Sequence, residues 1–361
     1  MPLSKDPRSA LRAWLADGPA PSPPEGDLGG LLAAAREQGV AGFLHAAAAT
    51  GGWPAADRER LAAIHRAVLV RGVGQLDLAR RVHDALARRG MRSLPLKGAA
   101  VAERLYPTVG ERPMSDVDVL ALDGWAASVG ALAEDGFREL GRGDHAWSFA
   151  DPVTGGVLEL HGTYTSCGGL FPVDREGLWA RSRAYRGQVP RLPSTEDVLV
   201  QLSLHAAFQH GLVLSLVQYL DFRRLLELDP PDPDRLHELA ARTRAERAVA
   251  WALRAAEVVV AAPVSERLKA LFPVGRAGRA GLSRRLAEPS SLLGPTPPDL
   301  LWARWALAAG RRAELVRGTL AGGRRGDGRP LRAPARALSL AGRWALPALQ
   351  ARLADARNRA G

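Results

Sequence analysis

The chain has 361 residues, with 49 Lys+Arg against 38 Asp+Glu, 47% hydrophobic residues and a single cysteine. That length suits two to three domains, and the composition excludes a disordered polymer. The lone Cys167 excludes a disulfide framework or a zinc cluster of cysteine pairs and suits a reducing cytoplasm. The net charge of +11 is unevenly spread: residues 1–273 hold 32 basic and 33 acidic residues, whereas 274–361 hold 17 and 5.

In chain order, Met1–Asp17 is charged and lacks the apolar run of a secretory signal. Residues 19–30, rich in Pro and Gly, read as a linker, and Leu28–Ala49 as an Ala-rich helix. Apolar residues from Leu61 to Leu86 recur at three- and four-residue steps, which predicts a long helix over Asp57–Arg89, kinked or divided at Gly72 and Gly74 and stopped at Gly90. The pattern then changes to a strand (Met91–Leu96), a short helix (Gly98–Tyr106), a strand (Asp116–Leu122) and a helix (Trp125–Glu134). Three strands follow, over Phe137–Leu140, Ala146–Ala150 and Gly156–Gly162. This β-α-β-α-β-β-β order implies an α+β fold, a small mixed sheet flanked by helices.

From Ser194, with acids at Glu196 and Asp197 for the helix dipole, the chain returns to helix until about Ala262, interrupted at Pro230–Asp234. Leu199–Leu220 has 22 residues without a formal charge, long enough to span a bilayer. Its Gln and His residues and Gly211 instead predict one or two buried helices of a soluble bundle. The Arg-rich tail offers two helices, Asp299–Leu320 and Ala337–Arg357. Trp302, Trp305 and Trp344 are expected to pack on the body; docking on an anionic partner, nucleic acid or a membrane surface stays open. The expected division is 1–90 helical, 91–190 catalytic core, 191–273 helical and 274–361 basic tail.

On a strand, residues i and i+2 share a face, so Asp116 and Asp118 present adjacent carboxylates while Val117 and Val119 enter the core. Glu159 and His161 likewise share a face, opposite Leu158 and Leu160. If the two strands are neighbours, Glu159 becomes a third carboxylate. Three such acids suit Mg²⁺, and two ions about 3.5–4 Å apart serve in-line nucleotidyl transfer. Lys97-Gly98 at a strand-to-helix junction suits phosphate, by charge at Lys97 and by open backbone at Gly98. Arg112, four residues before Asp116, is read either as a clamp for a triphosphate or as the salt-bridge partner of Asp116. His161 is expected to orient Glu159. His205 and His210 read as buried core histidines, and Asp221 as the partner of Arg223 or Arg224. Cys167 has no activating motif.

The run Leu96-Lys97-Gly98, Tyr106, Arg112-x-x-x-Asp116-Val117-Asp118-Val119-Leu120, followed by Leu158-Glu159-Leu160-His161 and the helical segment from Leu192, resembles the uncharacterised bacterial nucleotidyltransferase family of the DNA polymerase β-like superfamily. The resemblance spans roughly residues 60–260. It implies a polymerase β-like palm, two Mg²⁺ ions and an NTP donor. Asp116 and Asp118 would bind metal, and Glu159 would hold the second ion or act as base. The sequence departs from the superfamily pattern in placing Lys97-Gly98 where Gly-Ser or Gly-Gly is usual, 17 residues before Asp116. The expected activity is transfer of an NMP group to a hydroxyl or phosphate acceptor, small molecule, peptide or protein, in the cytoplasm. Two rivals are an Asp-x-Asp glycosyltransferase, which needs a longer β/α region before its acids, and a non-catalytic nucleotide- or partner-binding module.

Overall fold

The structure is a computed structural model that describes residues 7–17, 28–185, 187, 189–275 and parts of 278–322. The N-terminal helices are α1 (Pro7–Asp17), α2 (Leu28–Glu37), α3 (Ala41–Thr50) and α4 (Ala55–Ala87). The expected single helix over Leu28–Ala49 is two helices, because Gly39 adopts φ 71° and turns the chain between α2 and α3. The long helix α4, about 50 Å in extent, runs unbroken past Gly72 and Gly74. Gly72 does not divide it. It lets the turn at Val109 approach, since an added Cβ would lie 3.3 Å from the Val109 side chain.

The sheet region follows the expected order: β1 (Ser93–Pro95), α5 (Lys97–Leu105), β2 (Val117–Ala121), α6 (Trp125–Glu134), β3 (Arg138–Arg142), β4 (Ala146–Ala150) and β5 (Val157–His161). The strands form one five-stranded mixed sheet in the spatial order β1-β2-β5-β4-β3. β2 and β5 pair in parallel, whereas β1–β2, β5–β4 and β4–β3 are antiparallel. The exposed edge β3 carries Arg138, Glu139 and Arg142, charges that discourage edge-to-edge pairing.

After α7 (Arg175–Arg181) and a small hairpin, β6 (Arg183–Ala184) and β7 (Arg191–Leu192), the helical half comprises α8 (Thr195–Leu204), a π-helical turn (His205–Gln209), α9 (Leu216–Leu228), α10 (Pro233–Arg242), α11 (Glu246–Val260) and α12 (Glu266–Leu271). The uncharged run Leu199–Leu220 is thus split between two helices. Gly211 (φ 55°) and Leu212 (φ 64°) break it, and the Ser215–Gln218 capping box restarts it. Among the described residues no helix is long and apolar enough to cross a membrane.

Period-2 alternation sends the two faces of the sheet into different cores. Val117, Val119, Leu158 and Leu160 pack with Leu76, Val82 and Leu86 of α4 and Leu132 of α6. Leu120 joins the larger core of α8, α9 and α11. The face bearing Asp118 is therefore roofed by helices, which is why β2 is buried along its whole length. Part of the tail joins the larger core: Leu282, Ala303, Leu307, Ala308 and Leu315 are buried there. Arg304 Nε donates to Phe208 O at 3.1 Å. Gly310 (φ 81°) separates these residues from α13 (Arg312–Gly322). This packing follows the expectation for the tail; Trp302, Trp305, Trp344, the Ala337–Arg357 helix and most of the 19–30 linker lie outside the described residues.

Candidate active site

The site is built on the parallel pair. Asp118 of β2 lies in register with Glu159 of β5, and Leu120 with His161. Neighbours in a parallel ladder share a face, so Asp118, Glu159 and His161 converge. One ligand atom from each lies within 4.8 Å of the others. Asp116 sits one residue before β2 begins, half-buried, and accepts from Ser115 Oγ at 2.8 Å. It therefore stands at the strand entrance rather than on the ladder.

Lys97 completes the cluster from the β1–α5 junction. Its Nζ donates to Asp118 Oδ1 at 2.6 Å and stands 4.0 Å from Glu159 Oε2. The backbone reaches this position in the left-handed region, φ 46°, which costs a non-glycine residue about 1 kcal/mol. Its N–H is secured by Gln201 Oε1 at 3.2 Å. A glycine would fit this backbone without strain; the ammonium is what glycine lacks. Next to it, Gly98 is set by packing: an added Cβ would lie 2.7 Å from Met114 Cγ.

The electrostatics are those of a desolvated, mutually compensated cluster. Burial disfavours charge on Asp118, but Lys97 and His161 outweigh it and hold its carboxyl below the usual range. His161 Nε2 donates to Asp118 Oδ1 at 2.8 Å and is 3.5 Å from Glu159 Oε2. Burial lowers its pKa, and the bonds to the two carboxylates raise it further than burial takes it down. Glu159 is held low chiefly by its His161 bond, against burial. Asp116 moves the other way: burial and then the charge of Asp118 raise it. Lys97 is raised because Asp118 and Glu159 overcome its desolvation. His161 was expected to orient Glu159; its shorter bond is to Asp118.

All of these groups except the buried His161 line a cleft of about 610 Å³, a size that accommodates a nucleotide. Lys97, Gly98, Arg112, Asp116, Asp118 and Glu159 all border it. Arg112 borders it with its guanidinium engaged elsewhere. Nε and Nη2 fork onto Asp221 at 2.8 and 2.7 Å, and Nη1 donates to Pro113 O at 2.6 Å. Tyr106 OH donates to the same carboxylate at 2.6 Å. The partner of Asp221 is therefore Arg112, not Arg223 or Arg224, which bind Glu227 and backbone carbonyls or Glu111.

Several residues of the cleft escaped the reading of the sequence, among them two histidines and two arginines. His205 and His210, read as core histidines, border it only half-buried. The π-helical turn is the reason: its wider winding brings residues i and i+5 together, and the rings meet edge to face with centroids 4.4 Å apart. Burial, with Lys97 nearby, pushes His210 down to about 4 and His205 well below its ordinary value, so both are neutral. Arg36 at the end of α2 and Arg71 on α4 also border the cleft. In an Arg-rich sequence nothing marks them out.

Residues 24–261 match the family model described as Uncharacterised nucleotidyltransferase. The chain belongs to this family. The fold is α+β, a five-stranded mixed sheet with its acids on adjacent parallel strands set in helices, in a chain of a nucleotidyltransferase family. Among solved structures the chain is similar to the antibiotic-resistance factor ANT(2'')-Ia. The identity is 15%, the match covers 59% of this chain and 97% of that one, and the TM-score is 0.31. The curated proteins searched contain no match.

Proposed function

We propose that this member of the nucleotidyltransferase family is a cytoplasmic, Mg²⁺-dependent enzyme. It moves an NMP group from an NTP to a hydroxyl or phosphate acceptor on a small molecule, peptide or protein. The observation that carries this reading is the parallel register of Asp118 and Glu159 on the floor of a nucleotide-sized cleft, with Asp116 at its entrance.

The donor set fits the metal. Two to three carboxylates are hard oxygen ligands of the kind Mg²⁺ takes alongside substrate phosphates. Lys97 Nζ, 2.6 Å from Asp118, marks where the cluster receives positive charge. His161 is better matched to its role as a hydrogen-bond donor to the carboxylates than to ligation of so hard an ion. Asp116, Asp118 and Glu159 would hold two ions. Bound Mg²⁺ supplies charge neutralisation at the attacking and leaving oxygens.

The remaining steps belong to side chains. The acceptor oxygen forms a bond to the α-phosphorus while the bond from that phosphorus to the α,β-bridging oxygen breaks. Pyrophosphate leaves with the electron pair. Glu159, the partly exposed acid of the strand pair, accepts the acceptor's proton at a carboxylate oxygen. His161 fixes both strand acids from the buried side, and Lys97 keeps Asp118 and Glu159 ionised and oriented. Gly98 borders the cleft beside Lys97 without a side chain of its own, Met114 filling the place a Cβ would take. Arg112, tied to Asp221, shapes the loop that carries Asp116. Replacing Asp116 and Asp118 together by Asn should abolish NTP turnover with the melting profile retained; full activity in that variant removes the proposal.

A further inference from the structure

The cleft presents four cationic side chains, and two are already matched. Lys97 is committed to Asp118 and Arg112 to Asp221. Arg36 and Arg71 are exposed and border the cleft together with Glu37, and among the described residues neither arginine forms an ion pair within 4.0 Å. Arg71 Nη2 reaches Ser115 O, the carbonyl preceding Asp116, at 3.5 Å. Asp116, Asp118 and Glu159 outnumber Lys97, so this floor by itself repels a polyanion. Guanidinium groups are well suited to answer that, because their planar fork matches phosphate oxygens.

Both arginines are carried on anchored backbone. Two residues after Arg36, the buried Gln38 accepts from Leu216 N at its Oε1 and from Val217 N at its backbone oxygen, each at 3.2 Å. The elbow beyond it is bedded so closely that a Cβ on Gly39 would lie 2.7 Å from Val217 Cγ1, and one on Gly42 2.6 Å from Glu111 Cα. On α4, Arg71 shares a helix face with Gln75, four residues on, whose Nε2 donates to Met114 O at 3.0 Å. The elbow and α4 therefore grip the loop between Gly110 and Asp116, and both exposed cations border the cleft that holds the acids.

We infer that Arg36 and Arg71 bind the triphosphate of the incoming NTP, so that helices outside the palm sheet supply the phosphate site. This rests on the nucleotidyl-transfer reading, and the test separates the two. Full-length wild type, R36A, R71A, R36A/R71A and R36K/R71K are titrated calorimetrically with each of the four ribonucleoside triphosphates and Mg²⁺, and with the matching monophosphates. Loss of a charge-assisted contact is worth about tenfold in affinity. Each single variant should weaken NTP binding about tenfold and the double variant about 100-fold, while monophosphate binding changes less than about twofold. R36K/R71K should recover part of the loss. Melting temperature should stay at the wild-type value, because both side chains are exposed. A double variant that binds NTP as wild type does, or loses monophosphate and triphosphate equally, overturns the inference and leaves nucleotidyl transfer standing. A wild-type protein that binds no NTP and releases no pyrophosphate from any of them overturns both.

Discussion

Asp221→Asn is the sharpest probe of how the cleft is held open. Asp221 is fully buried, and Arg112 is 6% exposed. The carboxylate receives three contacts from the guanidinium, at 2.7, 2.8 and 3.1 Å, and one from Tyr106 OH at 2.6 Å. The amide is nearly isosteric but removes the charge and leaves a guanidinium buried without a counterion. Two unit charges about 4 Å apart interact by about 4 kcal/mol at an effective dielectric of about 20. Breaking one half of a buried pair costs about 3–5 kcal/mol. The retained amide oxygen can still accept one bond, so a loss of about 3 kcal/mol is expected, a large fraction of a typical domain's total. Urea unfolding followed by circular dichroism measures it. R112M/D221L, which removes both charges, should lose less than D221N, because no lone charge is then buried. A D221N protein within about 1 kcal/mol of wild type would refute the reasoning that the pair is structural. Arg112 would then have its main role at the phosphates, and R112K would reduce NTP affinity without changing stability.

Three further outcomes follow from particular residues. Lys97→Gly relieves the left-handed backbone that Lys97→Ala retains, so K97G should be the more stable by about 1 kcal/mol in thermal melts. Both should lose turnover by at least about 100-fold, and an active K97G would remove Lys97 from the site. Asp151, bound by Arg81 at 2.7 Å and by Thr154 Oγ1, has its carboxyl held below the usual range, those partners outweighing burial. A depressed folded-state pKa stabilises above the unfolded value. The deficit of D151N relative to wild type should therefore be complete at pH 7 and shrink as pH falls below about 4; a pH-independent deficit contradicts the ion pair. Truncation after Pro273 removes Leu282, Leu307 and Leu315 from the larger core, at about 1.5–3 kcal/mol for each large side chain. The shortened chain should melt earlier and bind a hydrophobic dye, whereas an unchanged melting curve would show that the tail contributes nothing to the body.

The parts of this molecule legible in its sequence are those with short-range signatures. Alternation around Asp118 and Glu159 assigned both acids to one face, and the structure seats them there because Val117, Val119, Leu158 and Leu160 fill the opposite core. Their pairing was a condition rather than a deduction, since parallel strands meet only through a crossover whose endpoint local pattern does not specify. Asp116 was placed on the strand by the same alternation. In the fold, Gln75 holds Met114 by its carbonyl in a loop, and the strand starts at Val117. Arg112 is 109 residues from Asp221 in the chain, so nothing in its neighbourhood announced the pair. His205 and His210 were misread because an uncharged apolar run resembles core. The π-helical turn that aligns them at the cleft is a tertiary adjustment without a periodic signal. Arg36 and Arg71 lie on helices whose apolar pattern reports only what they bury.

The central claim is that the acids on β2 and β5 carry nucleotidyl transfer. The most direct measurement incubates the full-length protein with Mg²⁺, α-labelled NTPs and fractionated lysate, followed by mass spectrometry of whatever gains label, with D118N/E159Q in parallel. The predicted result is an acceptor heavier by one NMP, formed with equimolar pyrophosphate by wild type and not by the variant. Label that stays in NTP with every fraction, a product heavier by a hexose, or equal transfer by D118N/E159Q would contradict it.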